Sequence, residues 1–317
     1  MKTTTKKASV RRQWYQVLWD NPQSRIGIII LAIFVLVAVF APWIGHGDPA
    51  DFAAMPNLPP NAENWLGTDH MGRDVWTRTV WGARNSLMIG FGTALLAITV
   101  ATIMGTAAGY FRGWVDDLLT LITNLFLVMP GLPLLILLAA YLKPSTGTVV
   151  WTLALTGWAF NARVIRAQTM SIREKDFVAA SIVSGESGFA IILREIIPNM
   201  VNIIVGSFIG IVSYGISTET AMSFLGLTDL ESVSWGTNLF WAQNGGALMS
   251  GAWWAFVPSG VCVALTIFAL SWINYGMDEI TNPRLRSERQ MAKFTSKLKQ
   301  SSARVTPVDR SAKPEVE

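Results

Sequence analysis

Few residues in this chain could do chemistry, and they are poorly placed for it. His46 and His70 are the two imidazoles, and Cys262, the one thiol, sits inside an apolar run. A single cysteine leaves no disulfide framework and no cysteine-based zinc site. Two histidines offer little for metal binding or acid–base catalysis. No lysine follows a glycine, so the G-x-x-x-x-G-K-[ST] phosphate cradle of an ATPase is absent. G-x-G-x-x-G, H-E-x-x-H, C-x-x-C and G-x-S-x-G are absent too. Gly90-Phe91-Gly92 lies inside an apolar run, where glycine usually marks close helix packing. A carboxylate within a membrane span could relay protons, but only Glu219 lies in one. Asp116 and Asp117 fall at the edge of a run, and Asp278 and Glu279 close another.

The elements that must hold these residues are set by where charge is missing. Of the 317 residues, 51% are hydrophobic and 15% are charged, against about 25% charged in an ordinary soluble domain. Residues 85–111, 118–142, 144–162, 196–218 and 232–277 contain no Asp, Glu, Lys or Arg. A soluble helix needs one polar face, whereas a bilayer span needs about 20 mostly apolar residues. The runs are too long and too evenly apolar for barrel strands of about 10 alternating residues. The chain therefore reads as an all-α polytopic membrane protein. Six spans are expected, at residues 26–44, 87–110, 118–141, 148–166, 200–222 and 253–275.

Lys and Arg predict the orientation. With the N-terminus inside, 21 of the 25 basic residues face the cytoplasm and four (Arg73, Arg78, Arg84 and Lys143) face out. Such an excess puts both termini in the cytoplasm. The first apolar run has a preamble of 25 residues and a core of about 19, too long for a signal peptide. Residues 1–25 read as a cytoplasmic arm. In it, Trp14, Val17 and Leu18 share one helical face beside Arg11 and Arg12, the pattern of an interfacial helix. Residues 26–286 form the six-helix domain, and the mixed-charge tail 287–317 reads as solvated and disordered. The net charge of +4 comes without a long basic run, so no nucleic-acid partner is expected.

The cytoplasmic loop 167–199 carries the most information. Ala179-Ala180-Ser181 are followed by three residues and Gly185, then nine more, Glu195 and Ile197-Pro198. Small residues let a short helix seat closely in a partner's groove. Gly185 permits a turn into a second helix, and Pro198 marks the lead-in to the fifth span. This pattern resembles the E-A-A-x-x-x-G-x9-I-x-L-P loop of binding-protein-dependent ABC importer permeases. It departs from that pattern at Ala179, Ser181 and Glu195. Trp65-Leu66-Gly67-Thr68-Asp69, Gly72-Arg73-Asp74 and Gly82-Ala83-Arg84-Asn85-Ser86-Leu87 resemble the segment before the second span in the peptide/nickel class. Ala108-Gly109-Tyr110-Phe111, Ser223-Phe224-Leu225-Gly226-Leu227, Ser234-Trp235-Gly236 and Asn282-Pro283-Arg284-Leu285-Arg286 resemble later signatures. The likeness covers about residues 15–286 and points to the C-type of two membrane subunits.

The resemblance implies a type I ABC importer permease fold in a prokaryotic cell membrane. It implies a second permease, two ATPases carrying ATP and Mg, and an external substrate-binding protein as partners. The chain itself would hold no cofactor and catalyse nothing. It implies a coupling helix over residues 176–187, with Asp176, Phe177, Ala179, Ala180, Ser181, Gly185 and Glu186 meeting an ATPase. The segment 223–251 would be an external scoop or mouth, with Glu219, Phe224, Trp235, Phe240 and Trp241 as pathway candidates or, for the aromatics, an interfacial belt. Glu219 is either a hydrogen-bonded anchor for that segment or a substrate ligand. Asp69, Gly72, Arg73, Asp74 and Pro198 read as structural, with Arg73 expected to pair with Asp74, either to fix the first external loop or as a docking contact. Peptides are the expected cargo, with oligosaccharides or nickel chelates as alternatives. A secondary transporter would show paired interrupted helices, and none is visible.

Overall fold

The computed structural model describes Trp19 and residues 21–129, 131–143 and 145–281. The expected interfacial helix over residues 10–20 and the tail 287–317 lie outside the described residues. No strand forms among the described residues. Two isolated antiparallel bridges, Phe52 with Arg73 and Thr68 with Asp74, close the loop before the second long helix.

Most of the described residues are helical. We label α1 Pro22–Val39, α2 Val75–Phe111, α3 Gly113–Val128, α4 Gly131–Tyr141 and α5 Thr146–Arg173. These are followed by α6 Asp176–Val183, α7 Val201–Phe224, α8 Trp235–Asn244 and α9 Val257–Thr281. Short polar side chains set the starts. Asn21 Oδ1 accepts from Gln23 N at 3.1 Å, Asp74 Oδ2 from Thr77 N at 2.9 Å, Ser145 Oγ from Thr148 N at 3.1 Å and Ser234 Oγ from Thr237 N at 3.1 Å. Each satisfies a backbone donor the helix cannot.

The boundaries depart most from the expected spans in three places. α2 begins at Val75 rather than near residue 87, so Arg78 and Arg84 ride on the helix instead of in a loop. The third span is two helices, α3 and α4, with Met129 extended at φ −64°, ψ 128°. The residue before a proline disfavours the helical region, and Pro130 follows Met129. The first span stops at Val39, and a separate turn, Ala41–Ile44, starts around Pro42, which cannot donate to the preceding turn. Among the described residues, four helices are long and apolar enough to cross a bilayer: Pro22–Val39, Val75–Phe111, Val201–Phe224 and residues 257–277 of α9. α5 is long enough but carries Arg163, Arg166 and Arg173.

α2 is the central post. It packs along α5, α7 and α1, and α9 packs on α1 and α7. Small residues make this possible, since lipid supplies no hydrophobic drive and helices in membranes gain by close approach. A Cβ at Gly105 would stand 2.6 Å from Ala162 O of α5, and one at Gly90 2.6 Å from Ile216 Cγ1 of α7. Ala94, Ala97 and Ala101 fill the stripe between them and are fully buried.

Candidate functional site

The segment after α7 is fastened rather than loose. Glu219, in the last turns of α7, is 1% exposed. Its Oε1 accepts from Ser223 Oγ at 2.8 Å and from Ser234 Oγ at 2.7 Å, and its Oε2 from Ser86 Oγ of α2 at 3.5 Å. Trp235 N donates to Ser86 Oγ at 3.1 Å, and Trp235 Nε1 to Thr79 O at 3.0 Å. Gly82 and Gly236 give the room: a Cβ on Gly82 would meet Trp235 Cδ1 at 2.8 Å, and one on Gly236 would meet Ser223 Cβ at 2.6 Å. Trp235 is fully buried, Phe240 lies over Gly226, and Phe224 is open to the surroundings. Glu219 thus accepts from hydroxyls of α2, α7 and the residue that caps α8.

The loop before α2 locks onto the same body. Arg73 pairs with Asp69 and not with Asp74, which corrects the expected partner: Arg73 Nη2 lies 2.7 Å from Asp69 Oδ2, and Nε donates to the same oxygen at 2.8 Å. Asp74 is already committed to capping α2, where its Oδ2 also accepts from Thr77 Oγ1 at 2.6 Å. Gly72, at φ +75°, turns the chain so that Arg73 comes back over Asp69. Arg78 is buried, with Nε donating to Asn238 Oδ1 of α8 at 3.1 Å and lying 3.8 Å from Asp69. Arg73 Cζ sits 5.6 Å from the centre of the Trp241 ring, on which His70 stacks at 5.8 Å and 25°. Burial pushes the His70 imidazole below its ordinary value. Arg73 and Arg78 push the same way, and Asp69 opposes them. Trp254 Nε1 donates to Thr68 O at 3.1 Å, which ties in the start of α9.

At the opposite end, α6 is a short helix held by one buried residue. Val178 is fully buried, while Asp176, Phe177, Ala179, Ala180, Ile182 and Val183 are exposed, Val183 at 88%. Ser181 is half-buried. Gly185 follows at φ +79°, with nothing within 4 Å of where a Cβ would stand, and Glu186 is exposed beyond it. Exposed Phe189 and Leu193 continue the apolar surface towards Pro198, which lies in a short turn, Ile197–Asn199, ahead of α7. The base of this loop is tied to the elbow between α2 and α3. Arg166 Nε donates to Asp116 Oδ1 at 2.5 Å and Nη2 to Oδ2 at 2.6 Å. Arg112 Nη2 donates to Glu174 Oε1 at 2.9 Å, and Arg173 Cζ lies 5.4 Å from the centre of the Tyr110 ring.

Between α5, α7 and α9, towards the α6 end, lies a cavity of about 610 Å³. Its lining includes Thr156, Asn161, Asn202, Ser207, Tyr214 and Asn274, and no charged residue. The Thr156 hydroxyl and the Tyr214 hydroxyl are 2.9 Å apart. Among the described residues, no three His, Cys, Asp or Glu side chains gather where they could hold a metal ion.

The parts are thus a fastened segment after α7, an exposed short helix on a tied base, and a polar cavity among long helices. Residues 97–287 match the family described as binding-protein-dependent transport system inner membrane component. The chain belongs to that family. Residues 9–60 also match the N-terminal transmembrane domain of oligopeptide transport permease C. The permease is 34% identical over 273 residues to the dipeptide transport system permease protein DppC of Bacillus subtilis (strain 168), covering 85% of this chain and 84% of that protein. It is 31% identical over 270 residues to the oligopeptide transport system permease protein OppC of the same organism, covering 84% of this chain and 87% of that protein. A putative peptide transport system permease protein of Brucella abortus biovar 1 (strain 9-941) is 35% identical over 266 residues, 83% of this chain and 88% of that protein.

The permease is thus a multi-pass inner-membrane component of a transport system, not itself a catalyst. Sequence reasoning missed its cavity residues. Thr156, Asn161, Asn202, Ser207, Tyr214 and Asn274 stand singly in apolar runs. The usable signal was that a neutral amide inside a span must find a partner or water.

Proposed function

We propose that this permease carries peptides across the cytoplasmic membrane as one of two homologous membrane subunits. It is driven by two cytoplasmic ATPases that hold ATP and Mg, and fed by an external binding protein. The observation that carries the peptide reading is likeness over more than four-fifths of the chain to dipeptide and oligopeptide permeases. Six crossings with both termini in the cytoplasm agree with the excess of basic residues on the α6 side.

α6 is the coupling helix in this reading. Asp176, Phe177, Ala179, Ala180, Ser181, Gly185 and Glu186 would meet an ATPase. Val178 and the Arg166–Asp116 pair pass its displacement to α5 and to the α2–α3 elbow. ATP-driven closure of the ATPases would then shift the bundle between two packings, which is how a bistable interface produces alternating access. The outer body, with Trp241, His70 and Arg73 on one side and Phe224 on the other, would meet the binding protein. The test is ATP-dependent uptake of labelled peptides by vesicles holding the whole transporter, with Gly185→Trp as the uncoupled variant. Normal uptake in Gly185→Trp would remove the coupling role from this loop.

A further inference from the structure

The cavity and the open face of α7 carry an inference that rests on the peptide-import reading. Where the other long helices are uncovered they show large apolar side chains, such as Ile33 on α1, Ile103 on α2, Trp151 on α5 and Phe268 on α9. α7 shows such side chains only at its ends, Val201 and Phe224. Between them its uncovered positions are Gly210, Ser217 and Ala221, spaced to lie on one face. The cavity of about 610 Å³ opens beside that face, with Asn161 of α5, Asn202 and Ser207 of α7, and Asn274 of α9 in its lining.

Lipid is a poor cover for such a surface, because an amide in hydrocarbon without a partner loses the hydrogen bonds it makes in water. Water satisfies these groups, and so does a peptide main chain. Each asparagine offers both a donor and an acceptor, matching the N–H and C=O of a passing peptide unit. The lining has no charge to hold a peptide terminus, and passage needs contacts weak enough to release. We infer that the open face of α7, with Asn161 and Asn274 beside it, is this chain's wall of a water-filled path that passes peptides by neutral hydrogen bonds.

Membrane vesicles holding the whole transporter test this, in a Cys262→Ala background. Ser207→Cys and Gly210→Cys are placed on the path, and Leu265→Cys serves as a lipid-facing control. A thiolate, which forms where water reaches, attacks the sulfenyl sulfur of a charged methanethiosulfonate reagent and displaces methanesulfinate, so both path variants should react about tenfold faster than the control. Peptide with binding protein and ATP should slow that reaction. Path variants as inert as Leu265→Cys overturn the proposal, because lipid or the second permease then covers the face. The double variant Asn202→Leu with Asn274→Leu should cut peptide uptake by about tenfold while the amount of assembled complex stays the same; uptake at the parent rate also overturns it. If the parent transporter takes up no peptide with ATP, the peptide reading fails. The labelling of Ser207→Cys and Gly210→Cys then decides separately whether the face is wet.

Discussion

The Ser234 hydroxyl donates to Glu219 Oε1 at 2.7 Å, joining residues 15 positions apart in sequence. This bond ties the start of α8 to the last turns of α7, and Ser86 brings in α2. The segment after α7 is therefore part of the folded body.

Removing the acceptor should loosen that body. Glu219→Leu leaves the hydroxyls of Ser223 and Ser234 without their buried partner, at a cost of about 1–3 kcal/mol. Glu219→Gln keeps a carbonyl oxygen for both and should lose less. Thermal unfolding of the purified complex, together with protease cleavage within residues 226–233, reads both effects. A Leu variant as stable and as resistant as the parent would exclude the anchor role.

His70 should make the loop before α2 sensitive to acid. Burial lowers its folded-state value below the ordinary 6.5. The folded protein then binds fewer protons than the unfolded chain, so the stabilisation is complete above about pH 6.5 and is lost as pH falls through the lowered value. His70→Phe keeps a ring to stack on Trp241 and removes the titration. Protease resistance of the loop 46–74, followed from pH 7.5 to 5, should fall in the parent and stay flat in His70→Phe.

Gly105 tests the α2–α5 packing. A side chain there must displace Ala162 O and Ile165, both on α5. Gly105→Leu should destabilise by at least about 1–3 kcal/mol, the usual cost of overfilling a packed site. Gly131→Ala, with nothing within 4 Å of its Cβ position, should be near neutral. Detergent-solubilised melting temperatures compare the two.

Val183 tests the exposed apolar surface of α6. A charge placed at the centre of a buried contact costs several kcal/mol when unpaired. Val183→Glu should therefore strip the ATPases from the permease in pull-down, while leaving the permease in the membrane. Because Val183 is 88% exposed, the fold itself has no stake in it. Retention of the ATPases at parental levels would place their contact elsewhere.

The cores of the long helices were legible because charge is absent from them, and the short helix α6 with its Gly185 turn because small residues and Gly185 stand at fixed spacing. The extension of α2 to Val75 was not legible. Arg78 and Arg84 look like loop charges in a list of residues, yet Asn238 and Pro49 take the donors of Arg78, and Arg84 lies 5.6 Å from the centre of the Trp81 ring. Neighbours in sequence also misled: Asp74 adjoins Arg73, but the Gly72 turn delivers Arg73 to Asp69. The break after Met129 was hidden because both sides of it are apolar, although Pro130 marked it. The cavity was invisible for a different reason. Its polar residues come from three helices, and no one-dimensional pattern joins Asn161, Asn202 and Asn274.

α2 runs unbroken for 37 residues without a proline. At 1.5 Å per residue that is about 55 Å, against roughly 30 Å of hydrocarbon. The Asp74 end carries Arg78 and Gly82 beneath Trp235. The far end carries Tyr110, against which Arg173 at the base of the α6 loop rests. A single rod without a proline thus reaches from the segment around Trp235 to the α6 loop at the opposite end. Torque applied at one end arrives at the other with no hinge to absorb it.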